Sequence, residues 1–241
     1  MIQKTKGIVL HSIKYGDTSL IAHLYTEDFG RHSFLFKGVR SNKSKIKSNI
    51  IQPIFILNLE SYFKEGKDLS LVKEASLTKP FTHIPYELHK SAQAMFIAEI
   101  LYHCLREEEL NKPLFEFICS SIEYFDLMTS GSADFHIIFL VKLSKYLGFY
   151  PASRETENDF VSDIKPGIYK DHIPTHFDYI NHSNSALLDK ILNANYENLI
   201  DLDLNHKKRN DLLEAILKFY SFHIEEITRL KSFLILRGLF N

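Results

Sequence analysis

Five runs of strand length, each closed by a polar turn, fill the first third of the chain: Gly7 to Tyr15, Ser19 to Thr26, Arg31 to Val39, Ile54 to Phe63 and Leu69 to Glu74. Gly16-Asp17, Asp28-Phe29-Gly30 and Glu65-Gly66-Lys67-Asp68 separate them, and such residues turn a chain back on itself with little steric cost. Apolar residues occupy both parities of these runs, as in Ile54-Phe55-Ile56-Leu57 beside Leu59. A sheet wet on one face would alternate, so this pattern predicts a small closed barrel with one side covered. Five strands in about 75 residues, with a long connection between the third and fourth, have the layout of an OB-fold.

After Pro85 the apolar period changes from that of a strand to that of a helix. Leu88, Ala92, Met95, Phe96 and Ile100 recur at helical spacing up to Arg106-Glu107-Glu108-Glu109, and Pro113 restarts the pattern. A second helix is predicted over Leu114 to Met128 and a third over Phe135 to Leu147, which Gly148 can end in a left-handed cap. Residues 150–183 hold Pro151, Pro166, Gly167 and Pro174 and show no period, which reads as an irregular insertion or short hairpin. Helical pattern resumes over Ser185 to Asn193, Leu204 to His223 and Thr228 to Leu236. The expected fold class is α+β: an N-terminal five-stranded OB-fold β-barrel over 1–80, followed by an all-α helical domain over 81–241.

Charge divides along the same line. Residues 1–80 hold 13 Lys and Arg against 7 Asp and Glu, whereas the remainder holds 16 against 23, so a net charge of −1 conceals a basic front and an acidic rear. The positive excess peaks in Gly38-Val39-Arg40-Ser41-Asn42-Lys43-Ser44-Lys45-Ile46-Lys47, which has four cations, no acid and the composition of a pliable loop. Such a segment cannot build a core, but it can follow a phosphate backbone and release its counterions. It can also be a solvated surface loop, the ordinary fate of a charge run. Arg31, Lys37, Arg40, Lys43, Lys45 and Lys47 are the candidate DNA-binding residues. Of the nearby rings Tyr15, Phe29, Phe34 and Phe36, one or two at most are expected to meet bases, because the barrel interior needs the others.

Two cysteines, Cys104 and Cys119, are too few for a four-thiolate zinc site and suit a reduced compartment as buried thiols. No apolar run approaches the roughly 18 residues of a spanning helix, and the N-terminus lacks a signal-peptide pattern, so a cytoplasmic protein is expected. A catalytic reading finds no phosphate-binding glycine loop, no Gly-x-Ser-x-Gly and no His-Glu-x-x-His. His103 and Cys104 are adjacent on a helix and so point about 100° apart. No catalytic residue and no cofactor is therefore assigned. A metal-dependent nucleic-acid-processing enzyme and a barrel that binds only proteins remain the alternatives.

Lys6-Gly7-Ile8-Val9-Leu10, Tyr15-Gly16-Asp17-Thr18-Ser19, Leu24-Tyr25-Thr26 through Gly30-Arg31, and Lys37-Gly38-Val39-Arg40 resemble the N-terminal domain of the RecO family of bacterial DNA repair proteins. The resemblance continues through Ala98-Glu99-Ile100-Leu101, Pro113-Leu114-Phe115, Leu143 to Leu147-Gly148-Phe149, Pro151, Arg209 to Leu213, Tyr220, His223 and Lys231-Ser232. It covers nearly the whole chain, and its order and spacing are more specific than any one of its motifs. It implies a recombination mediator without enzymatic turnover, one that binds single-stranded and double-stranded DNA and anneals complementary strands. It also implies RecR and the C-terminal tail of single-stranded DNA-binding protein as partners, with RecA loaded indirectly. Many members carry a zinc-binding cysteine cluster after the Gly-Phe-x-Pro-like element, but Ser153 to His176 has no cysteine here. His172 and His176 flank Pro174, which rules out one regular helix presenting both, so no metal is assigned. For an acidic, apolar-ended tail the candidate receivers are Arg209 and Lys231, within basic runs that also contain Lys207, Lys208 and Arg229. Capping of helix C-termini is the alternative use of these cations.

Overall fold

A computed structural model describes residues 2–63, 66–106, 110–154, 156, 161–197 and 204–239. Five strands, β1 (Ile2–Tyr15), β2 (Ser19–Thr26), β3 (Gly30–Phe36), β4 (Ile56–Tyr62) and β5 (Leu69–Leu77), form a closed barrel in the order β1-β2-β3-β5-β4. The 14-residue β1 closes it by serving two neighbours, pairing antiparallel with β4 through Ile2–Ile8 and with β2 through Gly7–Tyr15. At the changeover lies Gly7, where a Cβ would stand 2.9 Å from Leu24 Cδ2 and 3.3 Å from Leu59 Cδ1. Only glycine lets the backbone cross so near the packed interior. The final seam is parallel, Ser33 to Leu35 against Leu69 to Leu71.

Val9, Leu24, Phe34, Phe36 and Leu57 are buried and fill the barrel, while Ile8 and Tyr25, opposite each other on β1 and β2, are buried on its other face. That second buried face is why both parities of the strands are apolar. Helix α1 (Leu88–Cys104) packs on β1, and α2 (Lys112–Leu127) brings Phe115 to 6.2 Å from the Tyr25 ring. Burial pushes the Tyr25 phenol up to about 12. The barrel's last strand ends at Leu77 and the first α-helix begins at Leu88, but the first compact unit extends over Met1–Leu127. Just before β4, Ile54 is wholly buried with φ 61, a conformation that costs a β-branched residue about 1–3 kcal/mol. Its N–H donates to Val9 O at 2.7 Å, and Val9 N–H donates to Phe55 O at 2.9 Å.

The segment between β5 and α1 is fastened by Asp126, a 4 % exposed carboxylate near the end of α2. It accepts from the amides of Thr82, His83 and Ile84 and from the Thr82 hydroxyl, all at 2.8 to 2.9 Å. Burial alone would raise its pKa, but these four donors together outweigh it and hold the carboxyl below its ordinary value. The stability it contributes is therefore present above the unfolded carboxylate pKa and is lost as pH falls through the lower, folded one. Asp126→Asn puts an amide NH₂ where an acceptor is needed, so a loss of about 1–3 kcal/mol is expected at neutral pH. The loss should shrink at acid pH in denaturant melts; an equal loss at all pH values would contradict the assignment.

The second compact unit, Met128–Asn241, is mainly helical. Helix α3 (Phe135–Tyr146) is buried from Phe135 to Val141, and α4 (His182–Asn193) and α5 (His206–Ser221) pack on it. The Tyr220 hydroxyl donates to Leu140 O at 2.6 Å. Asn181 and Asn205 cap α4 and α5 by accepting from the amides three residues on. Gly148, with φ 83, follows α3 in the left-handed conformation predicted for it. Of the two alternatives for residues 150–183 the structure holds the short hairpin, β6 (Val161–Asp163) with β7 (Ile168–Lys170), which β8 (Tyr179–Ile180) extends into a small antiparallel sheet ordered β7-β6-β8. Ser185 joins this sheet to α4 by accepting from Ser162 N at 2.9 Å and donating to Ile180 O at 2.8 Å. A 3₁₀ turn (Glu225–Arg229) and α6 (Ser232–Leu239) complete the unit. Among the described residues, no helix is long and apolar enough to cross a membrane.

Candidate nucleic-acid interface

Leaving β3, the chain crosses the β1–β2 turn and is latched to it. Gly38, with φ 71, donates its N–H to Ser19 Oγ at 3.2 Å; Arg40 donates its N–H to Thr18 O at 2.8 Å and its Nη1 to Gly16 O at 3.4 Å. Between these latches Val39 is 2 % exposed, a core residue in an otherwise polar stretch. Successive turns then carry the chain forward, with Ser44 N–H donating to Ser41 O at 3.0 Å, Ser44 Oγ to Ile46 O at 2.7 Å and Lys47 Nζ to Asn42 O at 3.0 Å. A 3₁₀ turn (Ser48–Ile50) leads back to the core at Ile51.

This architecture sets five cations in solvent. Lys37, Arg40, Lys43, Lys45 and Lys47 are all exposed, and no acid occurs in sequence between Asp28 and Glu60. The arrangement is a local excess of positive charge on a segment with fixed ends, suited to phosphate contacts and lacking the side-chain pairs that read base edges. Lys14 and Tyr15, exposed at the end of β1, belong to the same end of the barrel. Lys14 was not singled out from sequence, because what joins its turn to the loop is the contact between Arg40 and Gly16-Asp17-Thr18, invisible in local pattern.

Arg31 stands apart from this group. It is the second residue of β3, six residues before Lys37 and about 20 Å away along an extended strand. Its Nη1 donates to Tyr102 O at 2.9 Å and Leu105 O at 3.2 Å, and its guanidinium carbon lies 4.3 Å from the Tyr102 ring centroid. It therefore satisfies carbonyls at the end of α1. Around Tyr102 lie His11 and His23, with ring centroids at 5.1 and 5.5 Å. Burial first, then the charge of Arg31, lowers the His23 pKa. Of the four candidate rings, Phe34 and Phe36 are wholly buried, Phe29 stacks on Phe63 at 4.0 Å, and Tyr15 is 53 % exposed.

In the second unit Arg209 pairs with Asp134 at 2.5 Å and donates to Leu204 O at 2.8 Å, its side chain 12 % exposed. Lys207, Lys208 and Arg209 occupy the first turn of α5, so C-terminal capping does not account for them. Lys231 is exposed just ahead of α6. His172 pairs with Asp171 at 2.7 Å and His176 approaches Asp163 at 3.4 Å. With no thiolate in Ser153 to His176 and each histidine turned to its own carboxylate, these residues do not fit the zinc cluster of many family members. Among the described residues no three His, Cys, Asp or Glu side chains converge on a common point. Burial pushes the thiol of Cys119 up to about 12 and that of Cys104 higher still, which leaves both poor nucleophiles.

Residues 1–81 match the family described as Recombination protein O N terminal, and residues 85–232 match Recombination protein O C terminal. The chain is 38 % identical to the DNA repair protein RecO of Bacteroides fragilis over 242 aligned residues, covering the full length of both. It is 34 % identical to that of Phocaeicola vulgatus, again over the full length of both, and 32 % identical to that of Flavobacterium psychrophilum over 99 % of each chain.

Proposed function

The chain belongs to the RecO family and acts in DNA repair and recombination, and from that premise we propose that its barrel binds single-stranded and double-stranded DNA through Lys37, Arg40, Lys43, Lys45 and Lys47. The observation that carries this reading is the exposed, acid-free cationic loop latched to the β1–β2 turn. Arg31 is left out of the phosphate set because, unlike the exposed loop cations, it is half-buried, lies over the Tyr102 ring and serves two carbonyls at the end of α1. Contacts made to phosphates leave base edges free, so one protein can hold two strands while they pair. Annealing of complementary strands with little sequence preference follows from that chemistry.

On the same reading the protein is a mediator without catalytic turnover, working in the cytoplasm at the nucleoid. It would help load RecA onto strands covered by single-stranded DNA-binding protein, in company with RecR. The acidic tail of single-stranded DNA-binding protein would meet Lys231 at the surface, whereas Arg209 is engaged in its pair with Asp134.

Fluorescence anisotropy of a labelled single-stranded oligonucleotide, titrated at several salt concentrations, tests the core of this proposal. With five phosphates neutralised, the slope of log affinity against log salt is expected to be about −3.5. A slope near zero, or cleavage of the oligonucleotide on adding a divalent metal, would overturn it.

A further inference from the structure

Beyond the loop the chain enters a cleft of about 560 Å³ within the first compact unit, a size usual for sites that enclose a flat ligand. Its floor is apolar, with Phe55 and Phe81 meeting edge to face at 5.3 Å, and Met95 of α1 stands at its side. Asn49 and Gln52 supply exposed amides, and Tyr86 presents a ring that is 81 % exposed. The left-handed turn at Ile54 sends that side chain into the core while its neighbours Pro53 and Phe55 line the cleft.

We propose that this cleft takes one or two unstacked bases of a single strand whose phosphates lie along the cationic loop, with Tyr86 as the stacking surface. The inference rests on the phosphate-binding reading and extends it. The occupant is argued from charge and continuity. Lys47 lies two residues before the lining Asn49, and Lys79 directly precedes the lining Pro80, so both chain segments reach the cleft through an exposed lysine. An apolar slot with amides at its lip and a cation on each segment leading into it matches a nucleotide: a flat base, polar edges and an anionic backbone.

The test measures affinity of the full chain for three labelled probes: a single-stranded oligonucleotide, an abasic phosphodiester of the same length and a duplex. Tyr86→Ala is expected to weaken the first by about 5- to 150-fold, the range one base–aromatic stack supplies, and to leave the other two unchanged. Tyr86→Phe, which keeps the ring, should stay within about twofold on all three. Unchanged binding of all probes by Tyr86→Ala, while the triple variant Lys43→Glu, Lys45→Glu, Lys47→Glu weakens all three, would overturn the cleft and leave the phosphate reading standing. Equal losses on all three probes would overturn stacking. Failure of the wild-type protein to bind any probe in dilute salt would remove both readings. Tyr86-dependent capture of an acidic, apolar-ended peptide, with oligonucleotide affinity intact, would assign the cleft to a protein instead.

Discussion

Arg209→Ala is expected to lower stability by about 3–5 kcal/mol, the cost of stranding a buried charge rather than the net worth of an ion pair. Asp134 is 9 % exposed and leads into α3, and Arg209 also satisfies Leu204 O just ahead of α5. Removing the guanidinium leaves a carboxylate with poor access to water and a carbonyl short of a donor. Replacing both partners, in Arg209→Ala with Asp134→Ala, should recover part of the loss in denaturant melts. A single variant within about 1 kcal/mol of wild type would dismiss this account. The same neighbourhood sets an acid limit. Burial, and then the charge of Arg209, pushes the His136 pKa down to about 3. The unfolded chain therefore takes up a proton that the folded one refuses, so stability declines as pH falls from the ordinary histidine range near 6.5 towards 3.

The triple variant Lys43→Glu, Lys45→Glu, Lys47→Glu is expected to weaken single-stranded DNA binding at least a hundredfold at about 0.1 M salt. Each lost phosphate contact withholds roughly 0.7 of a counterion, so three contacts alone amount to about two powers of ten at that concentration. The salt slope should fall from about −3.5 to about −1.4, since Lys37 and Arg40 remain. All three side chains are exposed, so the circular dichroism spectrum should not change. An unaltered slope would show that the loop is only solvated.

The barrel was legible because hairpin pairing is local. The run Ser19 to Thr26 begins and ends where β2 does, and the two-parity apolar pattern follows from a barrel covered by α1. What escaped was non-local or too short to show a period. The strands β6, β7 and β8 have three, three and two residues, below the length at which alternation can be recognised. Nothing near Arg209 announces Asp134, 75 positions away, and nothing near Arg31 announces Tyr102, 71 positions away. Charge read in sequence thus identified the loop, where cations are dense and without acids. It could not tell a solvent-facing cation from one consumed by a distant carbonyl or carboxylate. The cleft escaped for the same reason, its walls coming from stretches around Asn49, Pro80 and Met95.

Closure of the barrel through β1 and β4 limits how companions can attach to it. Where neighbouring strands bond to each other, as β1 does to β4 from Ile2 to Ile8, the barrel presents no free ladder of amides and carbonyls, so a visiting peptide cannot dock there by lengthening the sheet. Adhesion there must run through side chains, and side chains diverge far more readily than a backbone ladder does. Relatives can therefore keep the barrel while exchanging the clients it serves.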